Sequence, residues 1–457
     1  MRDLALVGFL AALLAFGFRR PFFFVLAYAY VDIVSPQRLS YYLLNSIPVS
    51  MIVAGLAVVG WAVAEDKKGT RVPFRQWLIL ILLIYVYFTT QSADFPLEAK
   101  AKWDWTSRSL IWAFFLPLAL RTRLKIEANL LVMILSAAAI IIVGGLKTAV
   151  SGGGYGTLVM FIDNNSGLFE SSTISTVAIA IIPIILWLSK YGTIFPTDWR
   201  VRLFAYALVF ACLLIPVGTA ARTGVICIGV LVILTLMHTK RRILYLALVG
   251  VAGLAAIPLL PQSFTSRTAT ISGYQADESA STRLAIWAWT IDYARENPFG
   301  GGFEAYRQNK LKYQTVAIQK DGTVEIARTA EIEDKGRAYH SSYFEMLGEQ
   351  GYPGLVLFLL VHGISIFRME LLRRRYRNDE DEPWLSPLAL ALQSAHLIYM
   401  VGSVFVGIAY QPFVYMLVGT QIGLDTLVGR RERGRSARPF LKPKAAAPDM
   451  APEPQPS

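Results

Sequence analysis

Long apolar runs separated by short connections are the feature that most constrains how this chain can fold. Apolar residues fill 54% of its 457 positions and charged residues only 17%, which is less charge than a water-soluble protein carries. An apolar run of about 20 residues is long enough to cross a bilayer as a helix. The candidate runs are 4–18, 21–34, 46–64, 76–90, 109–120, 128–146, 172–189, 203–217, 223–237, 243–260, 353–369, 386–406 and 411–428. The sequence therefore predicts an all-α polytopic membrane protein of about 12 transmembrane helices.

The lysine and arginine residues predict which side of the membrane each connection faces. Basic clusters alternate with charge-poor connections, as expected if every cluster faces the cytoplasm. The clusters are Lys67, Lys68, Arg71 and Arg75; Arg121, Arg123 and Lys125; Lys190, Arg200 and Arg202; Lys240, Arg241 and Arg242; Arg373, Arg374, Arg375 and Arg377; and Arg430, Arg431, Arg433 and Arg435. Arg19 and Arg20 divide the first 34 residues into two spans or one broken span. The topology of residues 1–34 therefore stays open, and the predicted number of transmembrane spans is 12 or 13.

Four regions follow from this pattern. They are N-terminal transmembrane helices in 1–260, a loop with amphipathic helices on the far side of the membrane in 261–352, C-terminal transmembrane helices in 353–430, and a disordered cytoplasmic tail in 431–457. The net charge of +12 lies largely in loops beside the membrane, so membrane lipids are expected partners and nucleic acid is not. Cys212 and Cys227 lie inside apolar runs, which predicts buried apolar side chains without a disulfide or a metal.

The long loop contains elements of its own. Leu284, Trp287, Ala288 and Ile291 recur at helical spacing, and Asn297-Pro298 ends that helix before a flexible Gly300–Gly302 turn. Ser342 and Glu345 form an S-x-x-E capping box for a second helix that Gly351 ends. The polar stretch 308–338 between them reads as a flexible flap or an insert that faces the acceptor.

Three side chains on the far side have the chemistry for a lipid-linked diphosphate. Arg222 lies at the mouth of two apolar segments, where a charge is costly unless it is paired or hydrated. Its partner is expected to be either an acid from elsewhere in the chain or an anionic ligand. Arg283 and His340 lie in the polar loop. Guanidinium groups donate paired hydrogen bonds to phosphate oxygens. His340 comes just before a helix, whose positive end disfavours imidazolium and leaves a neutral imidazole that can act as a base. The far-side acids Asp94, Glu98, Asp104, Asp163 and Glu170 are scattered, so no metal is expected.

Motifs around these residues resemble those of a known superfamily. They are Ala221-Arg222-Thr223-Gly224; Ser281-Thr282-Arg283-Leu284 with Ile286-Trp287; Asn297-Pro298-Phe299-Gly300-Gly301-Gly302; and His340-Ser341-Ser342-Tyr343-Phe344-Glu345-Met346-Leu347-Gly348-Glu349-Gln350-Gly351. This set resembles the O-antigen ligase superfamily, which includes O-antigen ligases, O-antigen polymerases and pilin O-oligosaccharyltransferases. Within it, the pattern is most similar to the O-glycosylation ligases found with exosortase systems. The family often has His-Asn where this chain has His340-Ser341, and serine where it has Ala221.

The resemblance implies a multi-pass enzyme of the bacterial inner membrane with its large loop and active site on the periplasmic side. It also implies an undecaprenyl-diphosphate-linked glycan donor, an acceptor protein, lipid or glycan, and transfer without a metal or other cofactor. By motif position, Arg222 and Arg283 take the role of the arginines that hold the diphosphate. His340 takes the role of the histidine that activates the acceptor hydroxyl.

Several functions share these features. The resemblance favours an O-glycan ligase, while an O-antigen or exopolysaccharide polymerase would use the same chemistry and differ in its acceptor. A transporter of lipid-linked glycans could bind its cargo through the same arginines, but it needs neither a base nor an ordered loop, and no internal repeat is apparent. A metal-dependent glycosyltransferase would want acids in the first far-side loop, and Ser35–Asn45 contains none.

Overall fold

A computed structural model describes residues 2–151, 167–239, 241–244, 246–247, 250–251, 278–321 and 324–436. Within these residues the chain is almost entirely helical. The helices are α1 (Arg2–Arg19), α2 (Phe22–Val34), α3 (Pro36–Leu39), α4 (Val49–Ala64), α5 (Phe74–Gln91), α6 (Pro96–Ala119), α7 (Arg123–Ser151), α8 (Ser171–Tyr191), α9 (Trp199–Gly218), α10 (Arg222–Met237), α11 (Glu278–Glu296), α12 (Ser342–Arg375), α13 (Leu385–Gly402) and α14 (Pro412–Ser436). Two strands, β1 (Lys310–Asp321) and β2 (Val324–Lys335), pair between α11 and α12.

The predicted all-α polytopic membrane fold is confirmed. Among the residues that the structure describes, six helices are long and apolar enough to cross a membrane by length and composition, namely α5, α7, α8, α9, α12 and α13. Helices α2, α4 and α10 are shorter and apolar. Helix α8 lies in the centre of the bundle, and every residue from Thr173 to Ile182 is buried. A helix that is apolar on all sides is expected in such a position, because it can be covered all round by other helices.

The first 34 residues form two antiparallel helices that meet at Arg19 and Arg20, and whether they make two spans or one broken span stays a prediction. The ring of Phe16 lies 5.6 Å from that of Phe23, and the ring of Phe9 lies 4.8 Å from that of Tyr30. At the start of α1, the Asp3 carboxylate accepts hydrogen bonds from the connection between α3 and α4, including the Tyr42 amide at 2.9 Å. Helix α1 therefore starts beside that connection, and the chain reverses near Arg19 and Arg20 at the opposite end.

Most of the basic clusters meet at one end of the bundle, which we call the basic end. Arg121 donates to the carbonyl of Lys68, and Arg430 donates to the carbonyl of Arg121 at 2.9 Å. The Arg123 guanidinium lies 4.4 Å from the centre of the Trp384 ring. These contacts join connections that are far apart in the sequence but alike in charge, as a common orientation of the clusters predicts.

The opposite end carries the segment 278–341, and we call it the loop end. Helix α11 ends before Asn297-Pro298 as predicted. Strands β1 and β2 form an antiparallel hairpin that pairs Lys310 with Lys335 and Asp321 with Val324. No secondary structure was assigned to 308–338 from the sequence, and most of this polar stretch satisfies its backbone groups in a two-stranded ladder. Whether it acts as a flap or an insert that faces the acceptor stays a prediction.

Two further predictions concern residues that lie partly outside the described ranges. Helix α14 continues to Ser436, so residues 431–436 are helical rather than part of a tail, and the predicted disorder beyond them lies outside the described residues. The candidate span 243–260 and the start of the 261–352 loop lie largely outside them as well.

Candidate functional site

His340 occupies an unusual backbone conformation directly before α12. Its φ is 49°, in the left-handed region, where a residue with a side chain costs about 1–3 kcal/mol unless its surroundings impose the conformation. The next residue, Ser341, is the N-cap, and the amide of Ser342 donates to the carbonyl of Ser403 at 2.8 Å. The start of α12 is therefore fixed against the connection that follows α13, and His340 is held at the edge of that contact.

The predicted capping box is wrong in its details. Ser342 is the first helical residue, and its hydroxyl donates to the carbonyl of Val406 at 3.0 Å and accepts from the amide of Ile408 at 2.9 Å. Glu345 does not reach back to the cap, because its carboxylate accepts from the Ala409 amide at 3.1 Å and from Lys102. Both side chains therefore join α12 to other parts of the chain, and these partners are determined by the tertiary structure.

A buried ion cluster lies behind the first turns of α12. The ammonium of Lys102 in α6 lies 2.6 Å from Glu345 and 2.8 Å from Glu349. Glu349 has no exposed surface, and its carboxylate also accepts from the amide of Glu304 at 3.0 Å. A buried charge is tolerated only when it is paired and hydrogen-bonded, and this cluster meets that condition while it joins α6, α12 and the loop segment.

The glycine-rich turn after α11 packs directly against α12. The amide of Gly301 donates to the carbonyl of Gly348 at 3.1 Å, and the amide of Gly302 donates to that of Glu349 at 2.9 Å. Gly300 has a φ of 80°, and a Cβ there would lie 2.5 Å from the Glu349 carbonyl oxygen. These glycines are therefore needed for backbone conformation and close approach, which the sequence analysis attributed to flexibility.

Helix α11 brings Arg283 towards His340. The indole of Trp287 donates to the carbonyl of Tyr339 at 3.0 Å, and its ring stacks on Phe344 with 4.8 Å between centres. Arg283 lies four residues before Trp287 and so on the same face of α11. Contacts on both sides of His340 thus fix the helix face that carries Arg283.

The electrostatic environment of His340 favours a neutral ring. Desolvation by the surrounding protein is the largest cause that lowers its pKa below the usual value, and the positive charges of Arg283 and Arg337 lower it further, against the opposing effect of Glu170. Arg283 is therefore one of the charges that act on the His340 ring. The structure also brings in Glu170 and Arg337, which the sequence analysis did not assign to the site.

Arg222 lies at the same end and is connected to the site through α8. It begins α10 after Ala220, whose φ of 50° is also left-handed, and Ala221, the N-cap. The hydroxyl of Thr219 lies 2.9 Å from that of Ser175 in the second turn of α8. Glu170, the neighbour of His340, caps this same helix through a 2.6 Å bond from the Thr173 amide. The turn before Arg222 is thus held through Thr219 against α8, the helix that Glu170 caps.

The residues of the buried ion cluster were not predicted, because the sequence pattern indicated their contact only weakly. Glu345 and Glu349 are four residues apart on one helix face, which could have indicated a shared cation, but nothing in the sequence pointed to Lys102. Within the described residues, no three side chains of His, Cys, Asp and Glu come together as a metal site would require.

Comparison with known protein families gives a match for the part of the chain that contains Arg222, Arg283 and His340. Residues 207–359 match the O-antigen ligase family. The chain carries an O-antigen ligase domain. This domain contains Arg222, Arg283 and His340, together with the glycine-rich turn and the start of α12. This match supports a place for the protein in the O-antigen ligase superfamily and a membrane function of the ligase or polymerase type, while the similarity to exosortase-associated ligases stays a prediction.

The part of the chain that precedes the O-antigen ligase domain also matches a family. Residues 1–193 match a family of unknown function (DUF5935). No curated protein matches the chain. Lys102 lies in the first match, while Glu345 and Glu349 lie in the O-antigen ligase domain. The buried ion cluster therefore joins the two matched regions.

Proposed function

We propose that this protein is an O-glycan ligase that transfers a glycan from undecaprenyl diphosphate to an acceptor hydroxyl, without a metal, at the periplasmic face of the bacterial inner membrane. The observation that carries the proposal is that α11, the helix of Arg283, contacts the residues on both sides of His340 through Trp287, within the region that matches the O-antigen ligase family. A fixed cation beside an imidazole that stays neutral suits a reaction in which an anionic group leaves and a hydroxyl loses its proton.

The two arginines would hold the diphosphate. Arg222 begins α10, so the amide groups of the first helical turn and the positive end of the helix dipole lie beside it. Arg283 reaches the same end from α11. When the bond between the anomeric carbon and the phosphate oxygen breaks, negative charge grows on the departing undecaprenyl diphosphate. Guanidinium groups fixed beside it stabilise that charge more in the transition state than in the ground state.

His340 would act as the base. In this step the acceptor oxygen forms a bond to the anomeric carbon, and its proton passes to the neutral imidazole. The proton then leaves to solvent, because part of the His340 side chain stays exposed beside the protein that desolvates the rest. The lowered pKa of His340 keeps the ring unprotonated and ready to accept the proton near neutral pH.

A purified system tests the roles of the residues. Wild type and variants in detergent are given an undecaprenyl-diphosphate glycan and an acceptor, and the product is quantified by mass spectrometry. Arg222→Ala and Arg283→Ala are expected to lose about 100-fold or more in turnover, and Arg222→Lys to rescue poorly because it lacks the paired donors. His340→Ala should lose turnover while it still binds donor.

Matched controls keep this test specific. Arg295→Ala removes an exposed arginine from α11, where it pairs with Asp292. His238→Ala removes an exposed histidine at the basic end. Both should stay near wild-type activity. Full activity of His340→Ala would remove the base assignment, and loss of activity in chelator would remove metal-independent transfer.

A deletion strain distinguishes the ligase from a polymerase. The readouts are glycan attached to surface proteins and lipids, and the chain length of the polysaccharide. Lost attachment with normal chain length supports the ligase. Attachment of single repeats, with chains no longer extended, would instead identify the protein as a polymerase.

A further inference from the structure

A cavity of about 280 Å³ opens at the basic end of the bundle. Its walls come from four places, namely the connection before α5, the end of α6, and the last turns of α12 and α14. Five arginines and two carboxylates line it, namely Arg71, Arg368, Arg375, Arg430, Arg433, Asp425 and Glu432. The cavity is therefore positively charged, and it lies at the other end of the bundle from His340.

The two carboxylates of the cavity already have cationic partners. Asp425 accepts two hydrogen bonds from Arg368, at 2.7 and 3.0 Å, and one from the buried Arg75 at 2.7 Å. Glu432 pairs with Arg375 at 3.1 Å and also accepts from the Tyr376 hydroxyl. These acids therefore hold the helices together and leave little negative charge for the other arginines.

The remaining arginines lie close together. Within the described ranges, no carboxylate pairs with Arg71, Arg430 or Arg433. Arg430 has both Arg121 and Arg433 as like-charged neighbours, and one of its nitrogens donates to the Arg121 carbonyl. Cations that repel each other around a cavity are stabilised when an anion enters it.

Exposed apolar side chains come directly before or after residues of the cavity lining in the chain. Phe74 follows Pro73, which lines the cavity, and is 64% exposed. Phe367 comes before Arg368 and Leu371 before Leu372 in α12, and their exposed fractions are 59% and 40%. Large apolar side chains exposed beside a basic cavity at the ends of membrane helices fit a ligand with a phosphate group and acyl chains.

We propose that this cavity binds the phosphate of an anionic phospholipid headgroup. Guanidinium groups of Arg71, Arg430 and Arg433 would donate to the phosphate oxygens, and the acyl chains would lie along Phe74, Phe367 and Leu371. The chemistry shared with free phosphate is the oxyanion, and the acyl chains distinguish the lipid from it. The proposal does not depend on the reaction at the loop end.

Lipid titrations of the full chain in an uncharged detergent test the proposal. Native mass spectrometry follows the binding of phosphatidylglycerol, phosphatidylcholine and inorganic phosphate to the protein. Wild type should retain phosphatidylglycerol and bind phosphatidylcholine or phosphate far more weakly. The triple variant Arg71→Gln/Arg430→Gln/Arg433→Gln should bind phosphatidylglycerol on the order of 100-fold more weakly.

The matched control removes the same charge from the same end. Arg202→Gln/Arg241→Gln/Arg377→Gln changes three exposed arginines outside the cavity, and it should bind like wild type. If the triple variant unfolds, the single exposed variant Arg433→Gln is used, with an expected weakening of about fivefold. Equal weakening in variant and control, equal binding of the two lipids, or equal competition by inorganic phosphate would each overturn the proposal.

Discussion

The Nζ atom of Lys102 lies 2.8 Å from a carboxylate oxygen of Glu349, although 247 positions separate the two residues in the sequence. Glu345 shares the same ammonium at 2.6 Å. The cluster fixes the first turns of α12, directly after His340, against α6. A contact in the N-terminal region of the protein thus supports a helix of the O-antigen ligase domain.

Removal of Lys102 should weaken the fold strongly. Lys102→Met leaves two buried carboxylates without their cation, which is expected to lower the free energy of unfolding by about 3–5 kcal/mol. Reversible unfolding in mixed micelles measures the change. Glu349→Gln added to Lys102→Met should cost much less than the sum of the two single changes, because the uncompensated charge is gone. Strictly additive effects would show that the pair is not coupled.

The acid limb of the pH profile should follow the charges around His340. Because the pKa of His340 is lowered, the ring becomes protonated, and lost as a base, only below the usual histidine range. The kcat/KM for the acceptor should therefore fall as the pH drops through that lowered pKa. Arg337→Gln removes a like charge and should move the limb to higher pH, and Glu170→Gln should move it to lower pH. Shifts in the same direction, or none, would contradict this electrostatic account. Donor affinity serves as the control readout.

Two glycines of the loop segment should differ in their response to alanine. Gly300 and Gly336 both have positive φ values, 80° and 67°. A Cβ at Gly300 would lie 2.5 Å from backbone atoms of α12, whereas at Gly336 the nearest atom is 3.8 Å away. Gly336→Ala should therefore cost only the left-handed strain of about 1–2 kcal/mol. Gly300→Ala should cost clearly more in the same unfolding measurement, and equal costs would argue against close packing of the turn.

A buried histidine pair should be sensitive to loss of its polar partner. His362 lies 2.8 Å from His396, which lies 3.0 Å from the Gln421 side-chain oxygen, and the Gln421 amide nitrogen donates to the Leu392 carbonyl. The Gln421 oxygen accepts from His396, and the other ring nitrogen of a neutral His396 accepts from His362. His396→Leu leaves a buried donor and a buried acceptor unpaired and should cost about 2–6 kcal/mol in unfolding free energy. The exposed His238→Leu, measured alongside, should change little.

The sequence alone determined the membrane fold, the alternation of basic connections and the position of the arginine and histidine motifs. Helix formation in a bilayer depends on the local run of apolar residues, because every backbone group must be satisfied within its own segment. The break after α11 at Asn297-Pro298 and the break in α12 at Gly351 were equally local, since proline and glycine act through their own backbone angles.

Only the tertiary structure decided which side chains meet. Lys102 with Glu349, His362 with His396, and Glu170 with His340 are pairs whose partners are distant in sequence. Ser342 and Glu345 had the spacing of a capping box, yet both are hydrogen-bonded to the connection that follows α13, and Glu345 also to Lys102. Burial makes an unpaired polar group costly, so each takes the partner that packing brings within reach. That partner is set by the arrangement of helices in space, which no local spacing encodes.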